Sequence, residues 1–120
     1  MSRFFNSFRF AWNGIIAAFR EQPNLKVHVL IACVVVAAGF YFNVTTAEWA
    51  ILIICISMVI TLELINSAIE YLVDLVTKEH HPLAGKIKDI AAGAVLVAAV
   101  GAVVVGVVVF YKYIVHAMIE

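Results

Sequence analysis

The chain has 120 residues, of which 65% are hydrophobic and 13% are charged, and its mean hydropathy is +1.06. Soluble domains are about 45–50% apolar, so this composition excludes a water-soluble globule and indicates an integral membrane protein. Eight basic and eight acidic residues cancel, so the net charge indicates no polyanionic partner, and no nucleic acid partner is expected. The length suits one small helical bundle, a single domain over residues 1–120, and such bundles in lipid commonly form closed oligomers.

The N-terminal segment predicts an amphipathic surface helix over residues 3–21. Aromatic and aliphatic side chains recur on one side of this helix, and Asn and Arg recur on another, as in helices that lie in the membrane interface. A third strip contains Arg3, Phe10, Gly14 and Glu21. Chance is the simpler explanation of that strip, and a surface facing a bundle or a ligand is the alternative. Pro23 disfavours helix at Gln22, where the element should end.

Three apolar segments are long enough to cross a bilayer. The first, residues 25–42, would form a helix of about 27 Å, which just matches the hydrocarbon layer. The second, residues 49–74, is longer than a membrane requires, so its polar end should reach the interface. The third, residues 90–113, contains small residues at every fourth position, a pattern that lets helices approach closely. A polar loop over residues 77–89 is expected to join the second and third spans.

The positions of lysine and arginine predict the orientation. Basic residues precede the first span and follow the second, whereas residues 43–48 contain none. Because short basic loops remain cytoplasmic, we expect the N-terminus inside and the C-terminus outside. Lys112, alone near the C-terminus, departs from this distribution.

A polar cluster lies near the end of the second span. Glu63, Asn66, Glu70 and Asp74 project from one side of the predicted helix. Carboxylates at membrane depth usually face a bundle interior or a watery cavity and mark a functional site. Glu63 lies about 10 Å deeper than Glu70. The deeper, less hydrated carboxylate suits proton transfer, and the shallower one suits a cation such as Mg²⁺.

Two lysines of the following segment, Lys86 and Lys88, are suited to neutralise phosphate charge, so the cluster fits phosphoryl transfer from a nucleotide to a molecule in the membrane. The chain has no P-loop and no kinase glycine-rich loop, which excludes the known soluble nucleotide-binding modules. His28 and His116 are single and distant in sequence, so they are interpreted as interfacial residues rather than catalytic ones.

Other classes of function are open at this point. A small oligomeric channel or proton-coupled transporter would use the carboxylates as an ion path, but a pore needs polar residues along its full length and residues 50–56 carry no charge. A non-catalytic scaffold is a third possibility, for which Lys88, Asp89 and His81 would have no reason to occur together. Asn66 and Ser67 alone would favour a packing role between helices.

Two sequence blocks carry a resemblance to a known family. They are E-L-I-N-S-A-I-E-Y-L-V-D at residues 63–74 and K-E-H-H-P-L-A-G-K-I-K-D-I-A-A-G-A-V-L at residues 78–96. Together with F-x-W-x-G near the N-terminus and P-N-L-K-V-H at residues 23–28, they closely resemble the small bacterial integral-membrane lipid kinases, the diacylglycerol kinase and undecaprenol kinase family. The resemblance covers nearly the whole chain.

This resemblance implies an all-α homotrimer in the bacterial inner membrane, with three spans and a surface helix in each subunit. Active sites would form between neighbouring subunits near the cytoplasmic face, where the family phosphorylates the hydroxyl of a membrane lipid with ATP and Mg²⁺. Diacylglycerol and undecaprenol both present a terminal hydroxyl on a long apolar body, so both are open as substrates. The P-N-L-K-V-H segment looks more like the undecaprenol branch.

The resemblance also implies individual roles. Glu63 is similar to the general base that takes the lipid hydroxyl proton, Asn66 to the polar residue beside it, and Glu70 to a magnesium ligand. Positions near the nucleotide are Arg3, Phe10, Glu79, His81, Lys88 and Asp89. Arg3 and Phe10 also lie near the lipid, although Phe10 lacks the hydroxyl of a tyrosine found in relatives.

One position departs from the family pattern. A second metal-binding glutamate usually stands two residues before the asparagine that is Asn24 here, and Gln22 occupies that position. Glutamine is a poor Mg²⁺ ligand compared with a carboxylate. Either Glu21 substitutes after a small shift at the Pro23 turn, or metal binding is weakened. The helical wheel, which places Glu21 on the strip with Arg3, favours the first alternative.

Overall fold

The computed structural model describes residues 2–120, and these residues form four α-helices. They are α1 (Ser2–Glu21), α2 (Pro23–Phe42), α3 (Thr46–Val76) and α4 (Pro82–Ile119). α3 is the central helix, because it packs extensively along α4 and also contacts α2 and the end of α1. α2, α3 and α4 are each long and apolar enough to cross a membrane. The prediction of an all-α protein with three helices able to span a membrane is therefore confirmed.

A single residue separates α1 from α2. Gln22 has an extended backbone, and Pro23 takes the first position of α2, where its missing N–H costs no hydrogen bond and its fixed φ suits the helix. The Gln22 N–H still donates to the Ala18 carbonyl, at 2.8 Å. The helix therefore ends where the proline predicts, and the chain changes direction without a loop.

A tight turn joins α2 to α3. Asn43 adopts the left-handed conformation, with φ of 52°, which asparagine tolerates better than most residues. A capping box then starts α3: the Glu48 N–H donates to Thr45 Oγ1 (3.2 Å), and the Thr45 N–H donates to Glu48 Oε1 (2.9 Å). Together these contacts satisfy the backbone groups that the turn would otherwise leave unpaired.

Glu48 also ties α3 to α4. The Tyr113 hydroxyl donates to Glu48 Oε1, and Lys112 Nζ lies 2.9 Å from Glu48 Oε2. Lys112, the exception in the distribution of basic residues, is thus neutralised by an acid from the neighbouring helix. The same end of the bundle holds the buried cluster of Val44, Leu52 and Val109.

The link between α3 and α4 is shorter than the sequence predicts. It covers residues 77–81, whereas a loop was expected over residues 77–89. Pro82 is the first residue of α4, and His81 Nδ1 accepts a hydrogen bond from the Leu83 N–H, at 3.1 Å. These two capping contacts start the helix within the polar stretch, so its lysines lie on the first turns of α4. At 38 residues, α4 is about 57 Å long and extends beyond the hydrocarbon layer.

Gly39 marks the closest approach of α2 to α3. A Cβ atom at this position would lie 2.5 Å from Trp49 Cη2 and 2.9 Å from Trp49 Cζ2. Trp49 also packs on Phe40, with ring centroids 4.8 Å apart. Because the indole ring is rigid and already packs on Phe40, a side chain at residue 39 requires the two helices to separate.

We predict that Gly39→Ala lowers the free energy of unfolding by about 1–3 kcal/mol through overpacking, although alanine is the better helix former. Gly101→Ala in α4 is the matched control, because a Cβ there meets no atom within 4 Å. Thermal unfolding in detergent micelles, followed by circular dichroism, compares the two variants. Equal midpoints would contradict the proposed contact with Trp49.

Candidate functional site

Three polar side chains of α3 are buried on one face. Glu63, Asn66 and Ser67 expose only 2%, 4% and 2% of their surface, and their spacing of three and four residues places them on adjacent turns. The Ser67 hydroxyl donates to the Glu63 carbonyl oxygen, at 3.0 Å, so it is satisfied within its own helix. The common face predicted from the helical wheel is therefore present for Glu63 and Asn66.

The amide of Asn66 is different, because Oδ1 has no hydrogen-bond partner among residues 2–120. An unpaired buried acceptor costs about 1–3 kcal/mol. Such groups in proteins usually receive a donor from a ligand, a water molecule or another subunit. Asn66 is thus suited to accept a hydrogen bond beside Glu63.

His28 of α2 lies against Glu63, with 3.8 Å between His28 Nε2 and Glu63 Oε2. His28, interpreted from the sequence as an interfacial residue rather than a catalytic one, therefore lies beside the predicted base. The two residues are distant in sequence, but the tight turn near Val44 makes α2 and α3 antiparallel. His28 lies about 16 residues before that turn and Glu63 about 19 residues after it, so the two side chains lie at a similar depth. These similar distances from the turn are the sequence feature that could have predicted the contact.

The C-terminal end of α3 and the start of α4 carry an ionic cluster of Glu70, Asp74 and Lys88. Lys88 Nζ donates to Asp74 Oδ1, at 2.7 Å. Glu70 is half-buried one turn before Asp74 on α3. The structure therefore brings the predicted lysine to one acid of the predicted polar cluster within one subunit.

Tyr71 connects this end of α3 to the junction of α1 and α2. Its hydroxyl donates to Glu21 Oε1 (2.8 Å) and accepts from Gln22 Nε2 (3.1 Å). Glu21 is thereby held at the turn of α3 that carries Glu70, whereas the amide of Gln22 is engaged with the tyrosine. Nothing in the amino-acid sequence distinguishes Tyr71, because an aromatic residue near a helix end is typical of any membrane interface.

Carboxylate oxygens, which Mg²⁺ prefers as ligands, are present at this end of α3. Within residues 2–120, however, no group of three acidic, His or Cys side chains is placed to hold one metal ion. Mg²⁺ at phosphoryl-transfer sites is commonly held by one or two carboxylates, with phosphate oxygens and water completing the octahedron. Glu70 and Glu21 supply that number of carboxylates. Their assignment as metal ligands stays a prediction.

The remaining predicted nucleotide residues lie in two places. Arg3 and Phe10 are exposed on α1. His81 and Asp89 line an open depression at the start of α4, with Glu79 on the adjoining link. Lys88, next in sequence to Asp89, points instead to α3, so the two members of this predicted pair diverge within the subunit.

An apolar cleft of about 210 Å³ lies between α2, α3 and α4 and reaches His28. Its lining is almost entirely aliphatic and includes Ile31, Val35, Leu52, Val59, Ala102 and Gly106. Two of the small residues of α4 for which the sequence predicts close helix packing, Ala102 and Gly106, thus help to leave this space open. Glu63 lies one turn of α3 beyond Val59, between the cleft and the ionic cluster.

Comparison with known proteins assigns the family. The family described as prokaryotic diacylglycerol kinase matches residues 9–110. The chain belongs to this family. Membership confirms the resemblance seen in the sequence and the expected class of enzyme, a phosphotransferase that acts on an alcohol group.

The similar proteins are named either undecaprenol kinase or diacylglycerol kinase. An undecaprenol kinase of Bacillus subtilis is 44% identical over 110 residues, which cover 92% of this chain and 89% of that protein. A diacylglycerol kinase of Synechocystis is 43% identical over 101 residues, covering 83% of this chain and 58% of that protein. A diacylglycerol kinase of Pseudomonas aeruginosa is 35% identical over 98 residues, covering 82% and 80%.

We predict that Glu21→Ala loses most of the kinase activity and that Gln22→Ala loses little. Glu21 presents a carboxylate at the level of Glu70, whereas Gln22 contributes an amide that only contacts Tyr71. Initial rates measured across a Mg²⁺ titration compare the variants, and the loss in Glu21→Ala should lessen as Mg²⁺ rises. Equal tolerance of the two substitutions would contradict the assignment of Glu21.

Proposed function

We propose that this protein transfers the γ-phosphate of ATP, with Mg²⁺, to the terminal hydroxyl of a membrane lipid alcohol, either diacylglycerol or undecaprenol. The observation that carries the proposal is the position of Glu63, buried between an apolar cleft and an ionic cluster. A lipid and a nucleotide require these two contrasting environments, and phosphoryl transfer requires them to meet at a proton acceptor.

The apolar cleft is suited to the hydrocarbon part of the substrate. Its aliphatic lining offers no hydrogen-bonding group until His28 and Glu63 are reached, so a lipid chain lying there would direct its hydroxyl toward the carboxylate. Relatives of similar identity are named for each of the two lipids. Incubation of the purified protein with labelled ATP and each lipid in micelles identifies the preferred substrate.

In the proposed reaction, Glu63 removes the proton of the lipid hydroxyl as the oxygen attacks the γ-phosphorus in line, and ADP leaves. Asn66, whose Oδ1 needs a donor, lies beside this group. Glu70 and Glu21 would hold Mg²⁺, which supplies charge neutralisation on the β- and γ-phosphates. Lys88 adds positive charge on the α4 side. Catalysis of this kind depends mainly on positioning and electrostatic stabilisation.

The proposed function includes a homotrimer in which neighbouring subunits share each active site. Arg3 lies 18 residues before Glu21 on α1, which corresponds to about 27 Å along the helix. Since α1 meets α3 only near its own C-terminal end, a role of Arg3 or Phe10 near a nucleotide is better met at a neighbouring subunit. The other nucleotide residues of that shared site would be Glu79, His81, Lys88 and Asp89.

The proposed placement of α1 is the membrane surface at the cytoplasmic side. Its aromatic side chains are largely exposed in the single subunit, with Phe4, Phe8 and Trp12 each at least 60% exposed, as expected for a face that enters lipid. The basic residues around α1 and the start of α4 favour a cytoplasmic N-terminus and an external C-terminus. The pairing of Lys112 with Glu48 removes the one conflict with this orientation.

We predict that Glu63→Gln reduces kcat by about 100-fold or more, because the amide cannot accept the lipid proton. Turnover with labelled ATP and lipid in micelles measures the effect, and size-exclusion chromatography checks assembly. Ser67→Ala is the matched control on the same buried face, since the serine hydroxyl bonds only to its own helix. Normal turnover by the purified Glu63→Gln variant would remove the base assignment.

A further inference from the structure

His28 joins the two parts of the site described above. It lines the inner end of the apolar cleft, and its Nε2 lies 3.8 Å from Glu63 Oε2, with side-chain exposures of 20% and 3%. We infer that His28 is a positioning residue, which holds the Glu63 carboxylate in the orientation that receives the lipid hydroxyl. This inference rests on the proposed role of Glu63 as the base.

The Glu63 carboxylate needs such a contact because its own helix gives it little support. The Ser67 hydroxyl bonds to the backbone carbonyl of Glu63 and not to the carboxylate. Among residues 2–120, His28 is the one basic side chain within 4 Å of this carboxylate. A glutamate side chain has several rotatable bonds, and each orientation left free lowers the fraction of bases that are correctly placed.

Neither Lys26 nor Lys88 lies beside the Glu63 carboxylate. Lys26, two residues earlier on α2, is exposed and lies over the Phe19 ring, with Nζ 6.0 Å from the centroid. Lys88 is engaged with Asp74 at the inner end of α3. Glu63 thus depends on α2, and specifically on its histidine, for an opposing donor.

The chemistry of imidazole suits this role. His28 Nε2 faces Glu63 Oε2 at 3.8 Å, which is longer than a hydrogen bond. Catalytic contacts of this kind commonly shorten when substrate closes the site, and Nε2–H would then donate to the carboxylate. Because His28 also borders the cleft, a lipid hydroxyl that reaches Glu63 passes beside the imidazole.

The test begins with His28→Leu and His28→Gln. Leucine matches the aliphatic lining of the cleft, so His28→Leu should assemble normally, which thermal unfolding and size-exclusion chromatography verify. We expect His28→Leu to lower kcat by about 10- to 100-fold and to leave the KM for ATP within about twofold of the original value. His28→Gln retains an N–H donor and should recover part of the loss.

His116→Leu is the matched control. This histidine is exposed on α4 and contacts Glu120 at the C-terminus, so its replacement should leave kcat and KM unchanged. A fall in kcat for His116→Leu equal to that of His28→Leu would overturn the inference, because the loss would then reflect removal of any histidine.

A double-mutant cycle separates positioning from a general packing effect. Glu63→Asp keeps a carboxylate but withdraws it by one methylene from His28, so in that background His28→Leu should have little further effect on kcat. An equal loss in both backgrounds would overturn the inference, because His28 would then act independently of Glu63. Unchanged kcat in His28→Leu alone would overturn it as well.

The cycle also distinguishes failure of this inference from failure of the proposed base. If Glu63→Gln is inactive while His28→Leu is fully active, only the role of His28 is wrong. If the Glu63→Gln variant has normal turnover, both the proposed role of Glu63 as the base and the role of His28 are wrong.

Discussion

A carboxylate buried among membrane helices is the constraint on which the arrangement depends. Removing an ionised carboxylate from water costs several kcal/mol unless partners compensate. Glu63 is almost fully buried in α3, and His28 reaches it from α2. α3 can carry this carboxylate within the bundle because α2 supplies such a partner, His28. The pair of Lys88 with Asp74 joins α3 to α4 closer to the end of α3.

Two different environments meet at this carboxylate. On one side of Glu63, the faces of α2, α3 and α4 are aliphatic and leave an open cleft. Toward the other end, acids and a lysine of α3 and α4 form an ionic cluster. The family assignment gives this contrast a purpose, since a kinase acting in a membrane must bring an apolar acceptor to a highly charged donor. An apolar cleft alone could not bind the charged donor, and an ionic cluster alone could not bind the apolar acceptor.

One side chain of α3 holds the junction of α1 and α2. The amide of Gln22 bonds to the hydroxyl of Tyr71. The same hydroxyl binds the carboxylate of Glu21. One tyrosine of α3 thus anchors both junction residues and keeps a carboxylate near Glu70. The junction can be a single residue because Pro23 starts the next helix at once.

The membrane class, the four helices and the common face of Glu63 and Asn66 follow from the amino-acid sequence alone, because apolar length, proline and helical periodicity are properties of one segment at a time. The start of α4 does not, since the polar residues after Pro82 resemble a loop although capping contacts make them helical. The contacts of His28 with Glu63, of Tyr71 with Glu21 and of Lys112 with Glu48 are visible only in the packed helices. Such contacts depend on the rotation and register of two helices packed together, and neither quantity is encoded in the periodicity of a single helix.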